Sequence, residues 1–478
     1  MSNEERSEWS PPTTPTAGIG VDLPEVLLEK EPRSAPSLRR NFTARFFADT
    51  YGLLTSLIAA SVSARMLGPS GRGYYASLVL LSVLFAQLFG AGLGEAAIVL
   101  PGSGRASHKT AFSATLAVII PLGFLGAITC IVTGAVALDP GSSDEWTALG
   151  LAGLLVLLNA CSSTLAWFLI SREKVVLVGA ITVMSATVIV VSLCLFLSVL
   201  HLRASGAVLA SVLGIVAILA ALLWFVPRQG ISLRPAWDGR YLRSAARFGL
   251  GIQISNLLVQ MAGRIDLIIV YRIGGSAPAG MYSIALTLGA LVGSVPVAIA
   301  YAAFPRLPKV TEDEARALTA SLFRTGIAAA VSTSVALSVL APFAIPVVFG
   351  PAYRGAIGPT LILVPAGVLW SGQWILCRAA AARALTRPLV LSFFVSFVIM
   401  ILLDLILIPR FGVMGAAVGS FISSAAGFGT AVASLVRGGW PWRPFVPRAG
   451  DWLSMFAHVR QMLESMRRGD TPVQASSQ

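Results

Sequence analysis

Apolar and polar positions alternate along this chain in long blocks rather than in short periods. Twelve apolar runs, each roughly 20 to 27 residues long, are separated by short polar segments. At a rise of about 1.5 Å per residue, a helix of that length crosses the roughly 30 Å of a bilayer's hydrocarbon core. The pattern predicts an all-α integral membrane protein of about twelve spans, at residues 43–66, 74–100, 111–137, 147–170, 175–199, 205–226, 246–270, 281–304, 320–341, 357–377, 389–409 and 413–436.

Two pairs of motifs indicate that the chain is a duplication. Residues 64–77 and 273–283 both carry a Gly-x-Ser turn followed by Gly-x-Tyr-Ala/Ser, which opens an apolar run. Residues 206–211 and 415–420 share a Gly-Ala start and a final Ser, a few residues after Arg203 and Arg410. Because six spans per repeat is an even number, we expect two six-helix bundles in the same orientation, related by a pseudo-two-fold axis along the membrane normal.

The repeat and the polar segments give the expected domain organisation. Residues 41–227 form the first bundle, a basic cytoplasmic linker covers 228–245, and residues 246–437 form the second bundle. Residues 1–40, rich in Pro, Ser, Thr and Glu, predict a disordered cytoplasmic tail. In the tail 438–478, helical spacing relates Trp452, Met455, Phe456, Val459 and Leu463. That pattern fits an amphipathic helix on the inner leaflet and a solvated tail equally well.

Composition and charge support a membrane protein of defined orientation. The chain is 56% hydrophobic and 12% charged, which leaves too little polar surface for a soluble globule of this size. Of its 35 Lys and Arg residues, 28 lie on the side of the two termini and six on the other side. This asymmetry predicts that both termini are cytoplasmic. The cations behind the +13 net charge therefore set the orientation of the chain in the membrane, and we expect no nucleic-acid partner.

The sequence contains no pattern typical of an enzyme. It has no phosphate-binding loop with the required Lys, and its three histidines lie in or near polar segments, away from any metal-ligand spacing. The four cysteines lie inside apolar runs and imply no disulfide framework. We expect no catalytic residue, no metal and no cofactor beyond a coupling H⁺ or Na⁺.

Ionisable residues inside spans are the informative ones, because a charge in hydrocarbon is costly unless it faces a wet cavity or a partner. In span 7, steps of three and four residues relate Gln253, Asn256, Gln260 and Arg264, which predicts one polar helix face. Asp266 is about 200° from Arg264 around the helix, so we expect it to serve a neighbouring helix.

The other ionisable positions allow a structural role beside a functional one. In span 1, Arg45 and Asp49 form either a ligand pair or an interfacial ion pair. Asp404 is close to Arg410 in sequence, and we expect the two to pair. Three arginines flank the turns and are either functional or headgroup anchors: Arg65, Arg72 and Arg272.

Four motifs together resemble a known superfamily. They are the turn at residues 64–76, Gly92-Leu93-Gly94-Glu95-Ala96, Arg264-Ile265-Asp266 followed by residues 280–285, and residues 408–417. In this order on twelve spans, they resemble the polysaccharide-transport branch of the multidrug/oligosaccharidyl-lipid/polysaccharide exporter superfamily, over residues 40–437.

The resemblance implies a MATE-like fold with a V-shaped cavity lined by spans 1, 2, 7 and 8. It also implies a flippase of the bacterial inner membrane that moves undecaprenyl-diphosphate-linked oligosaccharide to the outer leaflet by alternating access. In that reading, Arg264 and Arg45 bind the diphosphate, and the neutral side chains of span 7 bind the sugars. Asp49 or Glu95 would couple the cycle to an ion. Expected partners are the lipid-linked oligosaccharide and membrane lipids, with a polysaccharide polymerase or other assembly proteins left open.

Three other functions remain open at this point. A multidrug cation antiporter has the same fold but should prefer an acidic cavity, whereas the span 7 stripe ends in Arg264. A lipid II flippase has similar fold and charge. A scaffold of a polysaccharide-assembly complex would transport nothing.

Overall fold

The computed structural model describes residues 35–90, 92–102, 107–172, 174–229, 235–303, 307, 310–382, 386–440 and 445–446. Within them the chain is helical throughout its regular elements. Most of the N-terminal tail, the linker residues 230–234 and the tail segment 447–478, with its predicted amphipathic helix, lie outside the described residues.

The first bundle begins with one long element, Ala35–Gly90, which a kink at Gly68 divides into spans 1 and 2. Leu93–Gly102 completes span 2 after Gly92, which has a positive φ of 63°. Spans 3 and 4 are His108–Leu138 and Ser143–Ser171. Span 5 is Val175–Leu193 continued by a π-helical turn Cys194–Val199, and span 6 is Ala204–Phe225.

The second bundle begins with a bent helix pair. Gly239–Arg264 and Asp266–Gly274 form span 7 and meet at an angle of 43°. Span 8 is Ser276–Ala303, and span 9 is Glu312–Val348. A 3₁₀ turn Pro351–Ala356 leads into span 10, Ile357–Ala382. Spans 11 and 12 are Thr386–Phe411 and Val413–Arg437.

The span count agrees with the prediction from the sequence. In the described chain, ten helices are long and apolar enough to cross a membrane, and the bent pair of span 7 makes eleven. One of the ten, Tyr51–Gly90, contains two spans because Gly68 breaks its helical geometry. The described helices therefore account for twelve spans in two bundles.

Local sequence signals set several helix starts. Ser107, Ser142 and Asp238 accept hydrogen bonds from backbone N–H groups of the first turns of spans 3, 4 and 7. Thr311 and Glu314 form a reciprocal capping box at the start of span 9. These caps satisfy backbone donors that the helix itself leaves without partners.

Each bundle has its own core. In the first bundle, Leu78, Leu149 and Leu193 are fully buried in one cluster. In the second, Phe393 and Ile375 pack with Trp374. Small residues make room for polar side chains in this setting, as at Gly427, where a Cβ would overlap the Ser396 hydroxyl and lie 2.7 Å from the Gln373 amide nitrogen.

Candidate functional site

The two bundles meet at the end of the molecule that carries two glycine kinks, which we call the kink face. Gly68 and Gly275 have φ values of 65° and 91°, with ψ within about 1° of 180° in both. Such positive φ values favour glycine. The opposite end carries Lys109, Arg172, Arg228 and Arg240, and we call it the basic face.

Spans 2 and 8 cross in backbone contact just beyond the kinks. A Cβ built at Gly73 would overlap the Ser276 carbonyl oxygen and lie 2.6 Å from the Gly280 nitrogen. A Cβ built at Gly280 would overlap the Pro69 carbonyl oxygen and lie 3.1 Å from the Gly73 nitrogen. Because each helix meets the other through equivalent residues of the two repeats, this contact lies on the pseudo-two-fold axis.

Further hydrogen bonds join the bundles on the kink face. The Arg65 guanidinium on span 1 donates to the carbonyl oxygens of Val348, at 2.9 Å, and Val347 at the end of span 9. In the other half, the Tyr271 hydroxyl on span 7 donates to the Leu138 carbonyl oxygen at the end of span 3, at 3.3 Å. Both bonds satisfy carbonyls that the ends of helices leave without partners. These bonds and the glycine contact hold the two bundles together at the kink face.

The repeat also places an equivalent hydrogen bond inside each bundle. Tyr75 and Ser211 are joined by their hydroxyls at 3.0 Å in the first bundle. Tyr282 and Ser420 are joined at 3.1 Å in the second. These residues belong to the four motifs that defined the duplication, so the sequence repeat is a structural repeat.

In the second bundle, the carboxylate of Asp266 is hydrogen-bonded to the Tyr282 and Ser420 pair. Asp266 is 1% exposed and accepts hydrogen bonds from the hydroxyls of Tyr282 and Ser420, the latter at 2.6 Å. Its Oδ1 also accepts from the Leu267 N–H at 2.8 Å. Asp266 therefore serves spans 8 and 12, as predicted from its position on span 7.

Asp404 is a second buried carboxylate in the same bundle. It is fully buried, and neither carboxylate oxygen has a hydrogen-bond partner among the described residues. Its Oδ1 lies 2.8 Å from where a Cβ of Gly419 would be, and its charge interacts with that of Asp266. The expected pairing with Arg410 is wrong, because Arg410 is exposed at the end of span 11, whereas Asp404 points into the bundle.

The polar stripe of span 7 faces away from the core of its own bundle. Leu258, Val259 and Ala262, on the opposite side of the helix, pack against that core. On the stripe, Gln253 is buried and its amide donates to the Gln87 carbonyl oxygen of span 2, in the other bundle. The stripe is therefore turned toward the first bundle.

The rest of the stripe is more open. Asn256 and Gln260 are half-buried, and Arg264 at the end of the stripe is exposed. Arg264 ends the straight part of span 7, and Asp266 begins the next helix after a 43° bend, where the charges of the two side chains still interact. An arginine there presents planar, bidentate donors to an anion.

The remaining predicted residues have varied surroundings. Arg45, Asp49 and Glu95 lie on helices, but their side chains are outside the described part. Arg72 is buried, donates to the Ser63 hydroxyl at 2.9 Å and stacks over the Tyr75 ring at 5.4 Å, which excludes a headgroup anchor in this state. Arg65 joins the bundles, and Arg272 is exposed near its kink.

The sequence does not reveal the surroundings of the two buried carboxylates. The repeat marks Tyr282, Ser420 and Gly419 without a role for them, and proximity in the chain pairs Asp404 with Arg410. One sequence feature could have indicated this cluster. The repeat places an equivalent Tyr and Ser in both halves, whereas the two acids occur only in the second half.

Sequence comparison assigns a family. A family model described as "Polysaccharide biosynthesis protein" matches residues 62–358, more than half of the chain. Comparison with curated protein sequences gives no match.

Solved structures share the fold. An inward-facing multidrug resistance MATE family transporter of the MOP superfamily is 13% identical, with a TM-score of 0.63 over 83% of this chain and 98% of that one. Lipid II flippase MurJ, in an inward closed conformation, is 13% identical, with a TM-score of 0.64 over 90% and 93%. A MOP superfamily transporter from Pyrococcus furiosus is 14% identical, with a TM-score of 0.53 over 86% and 98%.

Proposed function

The chain belongs to the family of polysaccharide biosynthesis proteins, and from this membership and its fold we propose that it is a flippase. Its substrate would be undecaprenyl-diphosphate-linked oligosaccharide, moved from the inner to the outer leaflet of the bacterial cytoplasmic membrane by alternating access. The observation that supports this best is the position of the polar stripe of span 7. The two bundles are joined at the kink face, while the stripe, which ends in the exposed Arg264, is turned toward the other bundle.

Each part of the substrate has a chemical counterpart on that stripe. The diphosphate needs cationic, preferably bidentate donors, which Arg264 supplies and Arg45 would supplement. The sugars need neutral hydrogen-bonding groups, such as the amides of Asn256 and Gln260. The Gln253 amide is held by Gln87 in this state and would become available when spans 2 and 7 separate.

The second bundle supports coupling to a small cation. Asp266 and Asp404 are buried near each other, and Asp404 has no described partner. Burial without a partner is costly for an ionised carboxylate, so a proton or Na⁺ bound there would relieve that cost. Asp49 and Glu95 remain alternative coupling residues.

Reconstitution in proteoliposomes tests the proposal. The probe is undecaprenyl diphosphate linked to a fluorescently labelled disaccharide, and a membrane-impermeant quencher reports the outer-leaflet fraction. With the protein, quenching should extend to nearly all the probe, whereas protein-free liposomes should retain the inner-leaflet fraction. Equal quenching in both would reject flipping of this substrate. If the same vesicles instead accumulate a cationic dye, the antiporter reading is favoured.

A further inference from the structure

An open apolar groove runs along the outside of the second bundle, away from the span 7 site. Span 10 packs against spans 9 and 12, and the groove lies between those two spans over span 10. Its volume is ≈ 390 Å³, and its walls are apolar side chains from all three helices, including Ile327, Val368 and Val432. We call this the C-bundle groove.

The chain that follows span 12 already enters this groove. After Arg437 the backbone turns back, with the Trp440 N–H donating to the Leu435 carbonyl oxygen at 3.1 Å. Phe445 contacts Phe323 edge-on, with ring centroids 5.7 Å apart, and Trp440 stacks on Phe445 at 6.3 Å. Val446, the last described residue, is part of the groove wall. The C-terminal tail therefore begins inside the groove.

Much of the groove remains unfilled. An apolar cavity of about 150 Å³ with comparable walls accepts one benzene ring, so ≈ 390 Å³ has room for about two aromatic side chains. Walls of this kind on the outside of a membrane-spanning bundle leave a polar occupant without hydrogen-bond partners, which favours an apolar one.

The tail supplies an occupant of that chemistry within reach. Thirty-two residues follow Val446, and their apolar positions, Trp452, Met455, Phe456, Val459 and Leu463, share one face of a helix. Trp452 is six residues beyond Val446, which an extended chain covers in up to about 20 Å.

Charge on span 9 suits the same segment. Its first turn carries the exposed acids Glu312, Asp313 and Glu314, which outnumber Arg316, the arginine on the same helix that pairs with Glu312 and Asp313. Asp313 is ten residues before Phe323, about 15 Å along the helix. In the tail, Arg467 is eleven residues beyond Phe456, about 16 Å if helical. With the tail's aromatic side chains in the groove, its arginines would come near the acids.

We propose that residues 452–463 dock by their apolar face into the C-bundle groove. The tail is then an integral part of the second bundle at the basic face. The proposal commits to this segment of the chain, and does not depend on the transported substrate.

Disulfide cross-linking in native membranes tests it, with the four native cysteines replaced by Ala. Ile327→Cys with Phe456→Cys should cross-link on mild oxidation. Phe323→Cys with Phe445→Cys is the positive control, because those residues are in contact. Ile327→Cys with Gln461→Cys is the matched negative control, because Gln461 lies on the opposite face of the tail helix.

A second variant separates docking from random collision. Val432→Trp fills the groove and should abolish the 327–456 cross-link while leaving membrane abundance unchanged. Persistence of that cross-link in Val432→Trp would overturn the proposal. So would its absence in the parent when the 323–445 control forms. In that second case, labelling of groove residues by a photoactivatable phospholipid would identify a lipid acyl chain as the occupant.

Discussion

Gly73 and Gly280 lie against each other's helices through equivalent contacts, each leaving no room for a Cβ. The contact joins equivalent residues of the two sequence repeats, and it lies at the kink face, where the bundles are held together. Two helices that meet on a symmetry axis through glycine can come into backbone contact. Because no side chains interdigitate at the glycines, the helices can also separate there.

The first prediction concerns that contact. Gly73→Ala or Gly280→Ala places a methyl group on backbone atoms of the facing helix and should lower the free energy of unfolding by about 1–3 kcal/mol. Each should also raise the reactivity of a cysteine at Ser276. Gly150→Ala is the control, since a Cβ there meets nothing within 4 Å. Equal melting temperatures for all three variants would show that the bundles are not in contact at this point.

The second prediction compares the repeat-related tyrosines. Tyr282→Phe removes a hydrogen bond from the buried Asp266 carboxylate and should destabilise the protein by about 1–3 kcal/mol. Tyr75→Phe removes only a bond between neutral hydroxyls, and we expect about 0.5–1.5 kcal/mol. Thermal unfolding in detergent measures both. A larger loss for Tyr75→Phe would contradict the assignment of Asp266 to Tyr282.

The third prediction concerns Asp404. Because its carboxylate is buried without a described partner, Asp404→Asn keeps the shape, removes the charge and should raise the melting temperature of the ion-free protein. The same variant should lose flipping driven by an ion gradient. Asp139→Asn is the control, as Asp139 is exposed at a left-handed position that Asn tolerates. Destabilisation by Asp404→Asn would instead indicate a structural partner.

The fourth prediction concerns Arg264. If it binds the diphosphate, Arg264→Ala should abolish surface polysaccharide while the protein accumulates normally in the membrane. Arg264→Lys should restore export in part, because an ammonium keeps the charge but loses the planar fork. The control is Arg410→Ala, at an exposed site. Normal export in Arg264→Ala would eliminate the headgroup role, and loss of the protein would indicate a structural one.

The fifth prediction is the orientation. Cysteine introduced at Ser70 or Ser276, next to the kinks, should react with an impermeant maleimide added to intact cells. Cysteine at Ser107, at the start of span 3, should react only after permeabilisation. The Ser70 and Ser107 sites are exposed, and that at Ser276 is half-buried, so Ser70 is the more sensitive reporter. Labelling of Ser70 from the inside alone would reverse the assignment of faces.

The spans, the duplication and the polar face of span 7 follow from the sequence alone. Long apolar runs leave a helix as the only way to satisfy the backbone in hydrocarbon, and a helical period assigns Gln253 to Arg264 to one face. The repeated motifs also predicted a turn at Gly68, where the structure has a kink with positive φ, whereas Gly73 lies within the helix of span 2.

Which of these residues meet depends on how the helices pack in three dimensions. Arg65 and Arg72 both flank the first turn in the sequence. In the structure, Arg72 is buried with its guanidinium over the Tyr75 ring, whereas Arg65 joins the two bundles. Asp404 is six residues from Arg410, but the helix turns its carboxylate toward Asp266, 138 residues away in the chain. Sequence periodicity gives a residue's direction on its own helix, whereas its partner depends on how separate helices pack, and that is a property of the whole fold.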